Sequence, residues 1–282
     1  MEIIRSKEAL RAFVERNKEM GKKIGFAPTM GALHDGHLSL YKAAKEENDL
    51  VVSSIFVNPT QFNNQEDLKK YPRTVEADIQ LLEKSKLVDA LYLPREIDLY
   101  PDGLKSKEYD FDGLEKEMEG AFRPGHFDGV GTVVETLLRQ VKPTNAYFGE
   151  KDFQQLQIIK KLVEKQGLKS KIIGVPILRE KNGLAMSSRN ERLSSNERQE
   201  ADLLFHTLEK VNEWFRVLSV PEIKERVNRI FEKASHFKLE YFIIADEETL
   251  KETDFFYQDK SYRAFIAAYI GNVRLIDNKH LN

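Results

Sequence analysis

The 282-residue sequence contains no cysteine, which excludes disulfides, thiolate metal sites and cysteine nucleophiles. It carries little net charge, because 44 basic residues stand against 46 acidic ones, and so it has no general electrostatic footprint for nucleic acid or an anionic membrane. No apolar run approaches the roughly 18 residues of a membrane span. We therefore expect a cytoplasmic protein with no nucleic-acid partner and no membrane partner, in which any anion-binding site is local.

The composition is that of a globular protein with ample core material, since 41% of the residues are apolar and 32% are charged. Up to about residue 176, short β-rich apolar runs alternate with longer helical patterns, which is typical of parallel strands joined by right-handed helical crossovers. We predict an α/β fold in which residues 1–176 form a doubly wound, parallel, Rossmann-like sheet. Its strands are expected at residues 23–27, 50–56, 88–93, 145–148 and 171–175.

The pattern changes after Pro176. Residues 177–282 are predicted to form a smaller C-terminal α+β domain, with a tight turn at Gly271-Asn272 between its last two strands. Residues 102–116 lack apolar periodicity and are expected to form a long surface excursion. In the C-terminal domain, helices are expected at residues 195–215 and 221–235, and strands at 239–245, 264–270 and 273–276.

The strongest functional signal is the segment 28–37, which reads PTMGALHDGH, between the first predicted strand and a helix beginning near Leu38. In an open α/β sheet, ligands bind at the carboxyl ends of strands, and a helix N-terminus offers backbone N–H groups to phosphate. Gly31 and Gly36 allow close backbone approach, and His34 and His37 can donate hydrogen bonds to developing charge.

The histidine pair could also be a chance surface arrangement or half of a zinc site. Zinc needs three or four ligands, and no second pair with comparable spacing follows nearby. Chance is disfavoured because the histidines, the glycines and the strand-to-helix context coincide. We therefore expect a phosphate-binding turn.

Three further groups suit a phosphorylated nucleotide and a small polar acid. Lys151 follows a predicted strand and can stabilise phosphoryl oxygens, with a lysine on a solvated turn as the alternative. The loop 186–189 combines hydroxyls, amides and a guanidinium that suit a polyphosphate, and its alternative is an ordinary turn before a helix. Gln61 and Gln155 offer neutral amides that match hydroxyls and a carboxylate, although surface glutamines usually carry no function.

These motifs resemble a known family. His34-Asp35-Gly36-His37 resembles the H-x-G-H signature of the nucleotidyltransferases related to class I aminoacyl-tRNA synthetases, and the wider string resembles the pantoate–β-alanine ligases, or pantothenate synthetases. The resemblance is dense from residue 1 to about 193 and loose in the last third. Further motifs agree in the same order, at residues 56–62, 71–74, 123–127, 148–155 and 186–190.

The resemblance implies an ATP-dependent ligation of pantoate and β-alanine to pantothenate, in the pathway to coenzyme A. A pantoyl adenylate would form with release of pyrophosphate, and the amine of β-alanine would then displace AMP. Mg²⁺ would accompany ATP as the cofactor, and the enzyme would be a homodimer. Because an acyl adenylate must be shielded from water, the C-terminal domain is expected to act as a lid.

The resemblance also implies roles for individual residues. His37 would be the proton donor or charge stabiliser at the leaving pyrophosphate, Leu178 would lie near the adenine, and the loop with Arg189 would hold the β- and γ-phosphates. The catalytic set would be His34, His37, Lys151 and Arg189. ATP-binding positions would be Met30, Gly31, Ala32, Leu33, His34, Asp35, Gly36, His37, Gly149, Glu150, Lys151, Asp152, Leu178, Met186, Ser187, Ser188 and Arg189.

The acid and amine substrates are expected at Gln61 and Gln155, with Asn58, Tyr71, Asp78, Arg123 and His126 as further candidates. No metal ligand is assigned with assurance. Asp78 is the one carboxylate considered for that role, and it could equally be a solvated helix residue. His126 could equally be a structural capping histidine.

Two other functions stay open at this point. A nucleotidyltransferase acting on a phosphate acceptor would keep the histidine motif, but the paired glutamines favour a carboxylate with hydroxyls. A non-catalytic nucleotide-binding regulator would need no Lys151 placed against the α-phosphate. A tRNA-charging role is disfavoured by the near-neutral charge and by the lack of chain for an anticodon-binding module.

Overall fold

The computed structural model describes residues 1–63 and 65–282. The chain divides into two units, each with its own core. Unit 1 comprises Met1–Glu150 and Gln154–Pro176, and unit 2 comprises Lys151–Phe153 and Ile177–Asn282. The change of unit at Pro176 lies where the sequence pattern changes. Residues 151–153, which the sequence places in the first domain, group with unit 2.

Unit 1 is built on a six-stranded sheet in which each strand pairs in parallel with its neighbours. This confirms the predicted α/β class. Apolar patterning predicts five of these strands; the first strand, an edge strand of three residues, is too short to produce such a pattern. In the order β1-β4-β3-β2-β5-β6, the sheet consists of β1 (Glu2–Ile4), β2 (Ile24–Thr29), β3 (Leu50–Ile55), β4 (Ala90–Tyr92), β5 (Asn145–Gly149) and β6 (Lys171–Val175).

Helices cover this sheet because strands that are apolar on both faces must be buried on both. Leu40, Tyr41 and Ala44 of the second helix pack with Val51 and Leu91 of the sheet in one apolar core. No helix in the described part of the chain combines the length and apolarity that crossing a membrane needs. The helices are α1 (Lys7–Glu19), α2 (Asp35–Glu47), α3 (Gln65–Lys70), α4 (Val75–Ser85), α5 (Glu96–Leu99), α6 (Met118–Phe122), α7 (His126–Val141) and α8 (Phe153–Lys165).

The segment 102–116 only partly fulfils the prediction of a surface excursion. Residues 102–108 are exposed, but Phe111 and Leu114 are buried, and a short 3₁₀ turn covers Leu114–Lys116. The prediction is wrong for the second half because two isolated apolar anchors in a loop produce no periodicity. This half also contacts α8, because Gln154 donates to the carbonyl of Leu114 over 2.9 Å.

Unit 2 contains a three-stranded antiparallel sheet packed with helices, as the α+β pattern predicts. Gly271 and Asn272 form the tight turn, since Ile270 pairs with Val273. The helix predicted at 195–215 is two helices separated by a turn at residues 201 and 202. The elements are α9 (Ser195–Glu200), α10 (Leu203–Trp214), α11 (Val220–Lys233), β7 (Phe237–Asp246), β8 (Tyr262–Ile270) and β9 (Val273–Leu281).

Strand β9 runs five residues beyond its predicted end at Ile276, to Leu281. The apolar alternation stops at Asp277 and Asn278, yet both side chains are buried, at 3% and 2% exposure. Buried polar groups are stable only when paired. Here Arg179 bonds both oxygens of Asp277, at 2.6 and 3.0 Å, and Arg263 bonds Oδ1 of Asn278 at 2.6 Å.

Candidate active site

The loop that follows β2 is held in place by one buried carboxylate. Oδ2 of Asp78 accepts from the N–H of Ala32 at 3.0 Å, and Oδ1 accepts from the N–H of Leu33 at 2.8 Å and from the hydroxyl of Thr74 at 3.2 Å. Asp78 lies in the first turn of α4, where the helix dipole favours negative charge. Its carboxylate therefore fixes the backbone of the loop, a role that none of the sequence-based interpretations includes.

The same loop needs glycine at position 31. Gly31 has a φ of +84°, and a Cβ there would lie 3.0 Å from both Asp78 and Ile55. Ala32 also has a positive φ, of 51°, which is strained for a residue with a side chain. The two hydrogen bonds to Asp78 supply the constraint that holds this turn.

The two histidines of the motif cap helix α2 reciprocally. His34 is the N-cap residue, and its Nδ1 accepts from the N–H of Gly36 at 3.1 Å. Nδ1 of His37, in the first turn, accepts from the N–H of His34 at 3.2 Å. This arrangement is a capping box in which imidazoles take the place of the usual hydroxyl and carboxylate. The helix begins at Asp35, three residues before the predicted start.

The cap determines which ring nitrogens carry protons. A nitrogen that accepts a hydrogen bond has no proton, so the neutral rings of His34 and His37 carry theirs on Nε2. The ring centroids are 4.1 Å apart. Two neighbouring rings, each with an Nε2–H donor in its neutral form, thus lie in the segment that follows β2. In contrast, the amides of Ala32, Leu33 and Gly36 already donate within the protein.

Gln61 lies in a short 3₁₀ turn, Pro59–Gln61, that packs directly on α7. A Cβ at Gly129 would lie 2.6 Å from the carbonyl oxygen of Thr60, so only glycine permits this approach. The carbonyl of Gln61 bonds Nδ1 of the buried His126 at 2.8 Å and accepts from Arg123 at 3.2 Å. His126 and Arg123 therefore hold the backbone of Gln61, which agrees with the structural alternative for His126.

The side chain of Gln61 brings two predicted groups together. Its Nε2 lies 3.1 Å from the sulfur of Met30 in the histidine loop, and its Oε1 accepts from Asn58 at 3.1 Å. Gln155 is half-buried in the first turn of α8, and the half-buried Tyr71 contacts Phe62 edge to face. The histidine loop and Gln61 are therefore in direct contact within unit 1, through the sulfur of Met30 and Nε2 of Gln61.

Lys151 lies in unit 2, in a short 3₁₀ turn between Glu150 and Asp152 that follows Gly149 at the end of β5. The backbone of this segment is anchored by strands of unit 2. Nδ2 of Asn278 donates to the carbonyl of Lys151 at 2.8 Å, and the guanidinium of Arg263 covers the ring of Phe153 at 3.9 Å. Nζ of Lys151 lies 3.6 Å from Asp152. Nothing in the sequence motifs indicates the part that Asn278 and Arg263 play here.

The loop with Arg189 is held within unit 2 by a second buried amide. Ser187 caps a 3₁₀ turn, Ser188–Arg192, by accepting from the N–H of Arg189 at 3.2 Å. Asn190, which is 1% exposed, donates to the carbonyl of Ala185 at 3.0 Å and to Glu180 at 2.9 Å.

Near this loop, the amide of Met186 donates to the carbonyl of Leu178 at 3.0 Å, and Leu178 is 39% exposed.

Burial raises the pKa of the carboxyl of Asp277, and Arg179 opposes that rise. Among the described residues, no group of three or more His, Asp or Glu side chains is arranged to hold a metal ion.

Comparisons with known proteins agree over the whole chain. The family model described as pantoate-beta-alanine ligase matches residues 2–280. A pantothenate synthetase of Christiangramia forsetii is 52% identical over 282 residues, 100% of both chains. The crystal structure of pantothenate synthetase from Thermus thermophilus has a TM-score of 0.90 at 39% identity and covers 99% of each chain. A pantoate-beta-alanine ligase from Francisella tularensis, complexed with beta-gamma ATP and beta-alanine, has a TM-score of 0.77 at 40% identity, over 99% of this chain and 97% of that one.

The role of Asp78 leads to a stability prediction. Asp78→Asn keeps one acceptor oxygen but turns an NH₂ group toward a backbone N–H, so we expect a loss of about 1–3 kcal/mol in the free energy of unfolding. Glu76→Gln, an exposed position in the same helical turn, is the matched control and should change little. Urea unfolding followed by circular dichroism measures both. Equal midpoints for the two variants would contradict the role assigned to Asp78.

Proposed function

The chain belongs to the pantoate-beta-alanine ligase family, and we propose that it condenses pantoate with β-alanine by way of a pantoyl adenylate, consuming ATP and releasing pyrophosphate and AMP. The observation that best supports the chemistry is the reciprocal histidine cap. It orients two Nε2–H donors at a strand end, where an open α/β sheet binds nucleotides. The ATP and β-alanine bound to the Francisella tularensis relative are consistent with the same substrates here.

In the first half-reaction, a carboxylate oxygen of pantoate attacks the α-phosphorus of ATP. The new phosphorus–oxygen bond forms as the bond to the β-phosphate oxygen breaks, and pyrophosphate leaves. Charge grows on the bridging and equatorial oxygens, so catalysis consists mainly of positioning and electrostatic stabilisation. We assign the Nε2–H groups of His34 and His37 to that charge, with His37 toward the leaving pyrophosphate.

In the second half-reaction, the free amine of β-alanine attacks the acyl carbon of the adenylate. The carbon–oxygen bond breaks, AMP leaves, and the nitrogen loses a proton to give the amide of pantothenate. Gln61 and Gln155 are the proposed ligands of the acid, since neutral amides can bond hydroxyls and a carboxylate without excess charge. Asn58 and Tyr71 support this region in the proposal.

The cationic side chains proposed to bind the phosphates, Lys151 and Arg189, belong to unit 2. Lys151 would stabilise phosphoryl oxygens, and Arg189 with Met186, Ser187 and Ser188 would bind the β- and γ-phosphates. Asp152 of unit 2 and Gly149 and Glu150 of unit 1 are further proposed ATP-binding positions. Leu178 would contact the adenine. Mg²⁺ belongs to the substrate here, because Mg²⁺ is usually bound through substrate phosphates and retains several waters.

We also propose a homodimer in the cytoplasm, as the family resemblance implies. Strands β1 and β6 are the two edges of the parallel sheet, and edge strands need protection from uncontrolled pairing. Sedimentation equilibrium tests the dimer, and a monomer at micromolar concentration would contradict it.

The function is tested by an ordered assay. Purified protein with magnesium ATP and pantoate should release pyrophosphate in a single turnover, and β-alanine added afterwards should yield pantothenate and AMP. Pyrophosphate release that depends on a phosphorylated acceptor instead would indicate a nucleotidyltransferase. Nucleotide binding with no pyrophosphate under either condition would indicate a regulator.

Capping and catalysis by His37 can be separated by substitution. Glutamine at this helical position can still accept from the N–H of residue 34, but it lacks the imidazole donor. We therefore expect His37→Gln to unfold near the wild-type urea midpoint and yet to slow single-turnover adenylation by roughly 10²- to 10³-fold. His37→Ala should lose both the cap and the rate. A His37→Gln enzyme with wild-type adenylation would remove His37 from the catalytic residues.

Lys151 is tested against a lysine of the same region. Lys151→Ala should slow pyrophosphate release by roughly 10²- to 10³-fold, because one preorganised charge on the phosphates is lost. Lys160→Ala removes an exposed lysine from α8 and should leave the rate unchanged. If quench-flow measurements give similar rates for the two variants, Lys151 is not part of the catalytic machinery.

A further inference from the structure

The side-chain amide of Gln61 has two ends of similar shape and opposite chemistry. Its oxygen only accepts hydrogen bonds, and its nitrogen only donates them. The end that faces a bound substrate decides whether a carboxylate is attracted or repelled. Which end that is depends on the neighbours of Gln61, because hydrogen bonds link its amide to Asn58 and, through Asn58, to the carbonyl of Gly129.

The chain starts at a main-chain carbonyl, which can only accept. The carbonyl oxygen of Gly129 lies 3.1 Å from one end of the amide of Asn58, so that end must be the nitrogen, Nδ2. The reverse orientation would place two oxygens against each other at a residue that is 1% exposed. Two unpaired acceptors in a buried position are costly, and the carbonyl thus fixes the orientation of Asn58.

The orientation of Asn58 then fixes that of Gln61. The same Nδ2 lies 3.1 Å from the amide of Gln61, and the atom it meets there must accept, which makes it Oε1. Nε2 of Gln61 therefore lies on the other side, 3.1 Å from the sulfur of Met30 in the histidine loop. A thioether is a weak acceptor for one of its two protons.

Tyr100 holds the far end of Asn58. Its hydroxyl donates to Oδ1 of Asn58 at 2.5 Å and lies 2.9 Å from the hydroxyl of Thr60. Tyr100 is 4% exposed, and burial raises the pKa of its phenol, so the hydroxyl keeps its proton and acts as a donor. The backbone of Gln61 is fixed separately, by His126 and Arg123.

We propose that Tyr100 is a positioning residue for the acid substrate: together with the carbonyl of Gly129 it holds Asn58, and it thereby helps to keep the amide nitrogen of Gln61 toward the substrate and the amide oxygen away from it. This inference rests on the proposed function, because it takes pantoate as the ligand of Gln61. A carboxylate accepts only, so it bonds a donor nitrogen and is repelled by an amide oxygen. These hydrogen bonds thereby favour an anionic acid as the ligand of Gln61.

The test compares two buried tyrosines of unit 1. Tyr100→Phe removes the hydroxyl on Asn58, whereas Tyr92→Phe removes a hydroxyl that donates to Oε1 of Gln140 at 3.0 Å. We expect Tyr100→Phe to raise the KM for pantoate about threefold to tenfold, the usual worth of one hydrogen bond, with the KM for ATP unchanged. Tyr92→Phe should change neither constant. Urea unfolding verifies that both variants fold.

A double variant distinguishes positioning of Gln61 by Tyr100 from a general structural effect of Tyr100. In a Gln61→Ala background, Tyr100→Phe should raise the KM for pantoate less than about twofold, because its effect passes through Gln61. A general structural effect would raise it equally in both backgrounds and would overturn the inference, as would a Tyr100→Phe enzyme identical to Tyr92→Phe. An inactive wild-type protein would overturn the proposed function and this inference with it, whereas an active wild type with either of those results overturns this inference alone.

Discussion

The reciprocal hydrogen bonds of His34 and His37 set the start of helix α2 and the protonation pattern of both rings at once. Each Nδ1 accepts a backbone N–H, at 3.1 and 3.2 Å, so the helix gains its cap only while both rings present an acceptor there. The same requirement leaves Nε2 as the donor in each neutral ring. The hydrogen bonds that cap the helix therefore also orient the two groups that we propose for the chemistry.

This constraint changes how the phosphate is expected to be bound. In many nucleotide-binding folds, free amides at a helix N-terminus hold the anion. Here the amides of Ala32 and Leu33 donate to Asp78, and that of Gly36 donates to His34. The loop consequently offers imidazole donors in place of these amides. The fold supplies the position of the site, and the side chains supply its chemistry.

The sequence predicts the fold where local and global signals agree. Apolar runs and turn residues are enough to predict the strands β2 to β6 and the turn at Gly271-Asn272. The predicted end of β9 is wrong because Asp277 and Asn278 break the apolar alternation. Their burial depends on Arg179 and Arg263, which are distant in the sequence and which no periodicity can connect with them.

For the candidate site, too, the sequence predicts some features and not others. Ordered motifs indicate which residues belong to it, but they do not indicate which atom of each residue faces a ligand. The sequence makes Asp78 a candidate for the substrates or a metal, or else a solvated helix residue; in the structure it is buried, and each of its oxygens accepts from a backbone amide of the loop. No motif singles out Tyr100 or Gly129. Their contacts with Asn58, which bonds Gln61, arise only when α7 and the residue that ends α5 pack against the turn after β3.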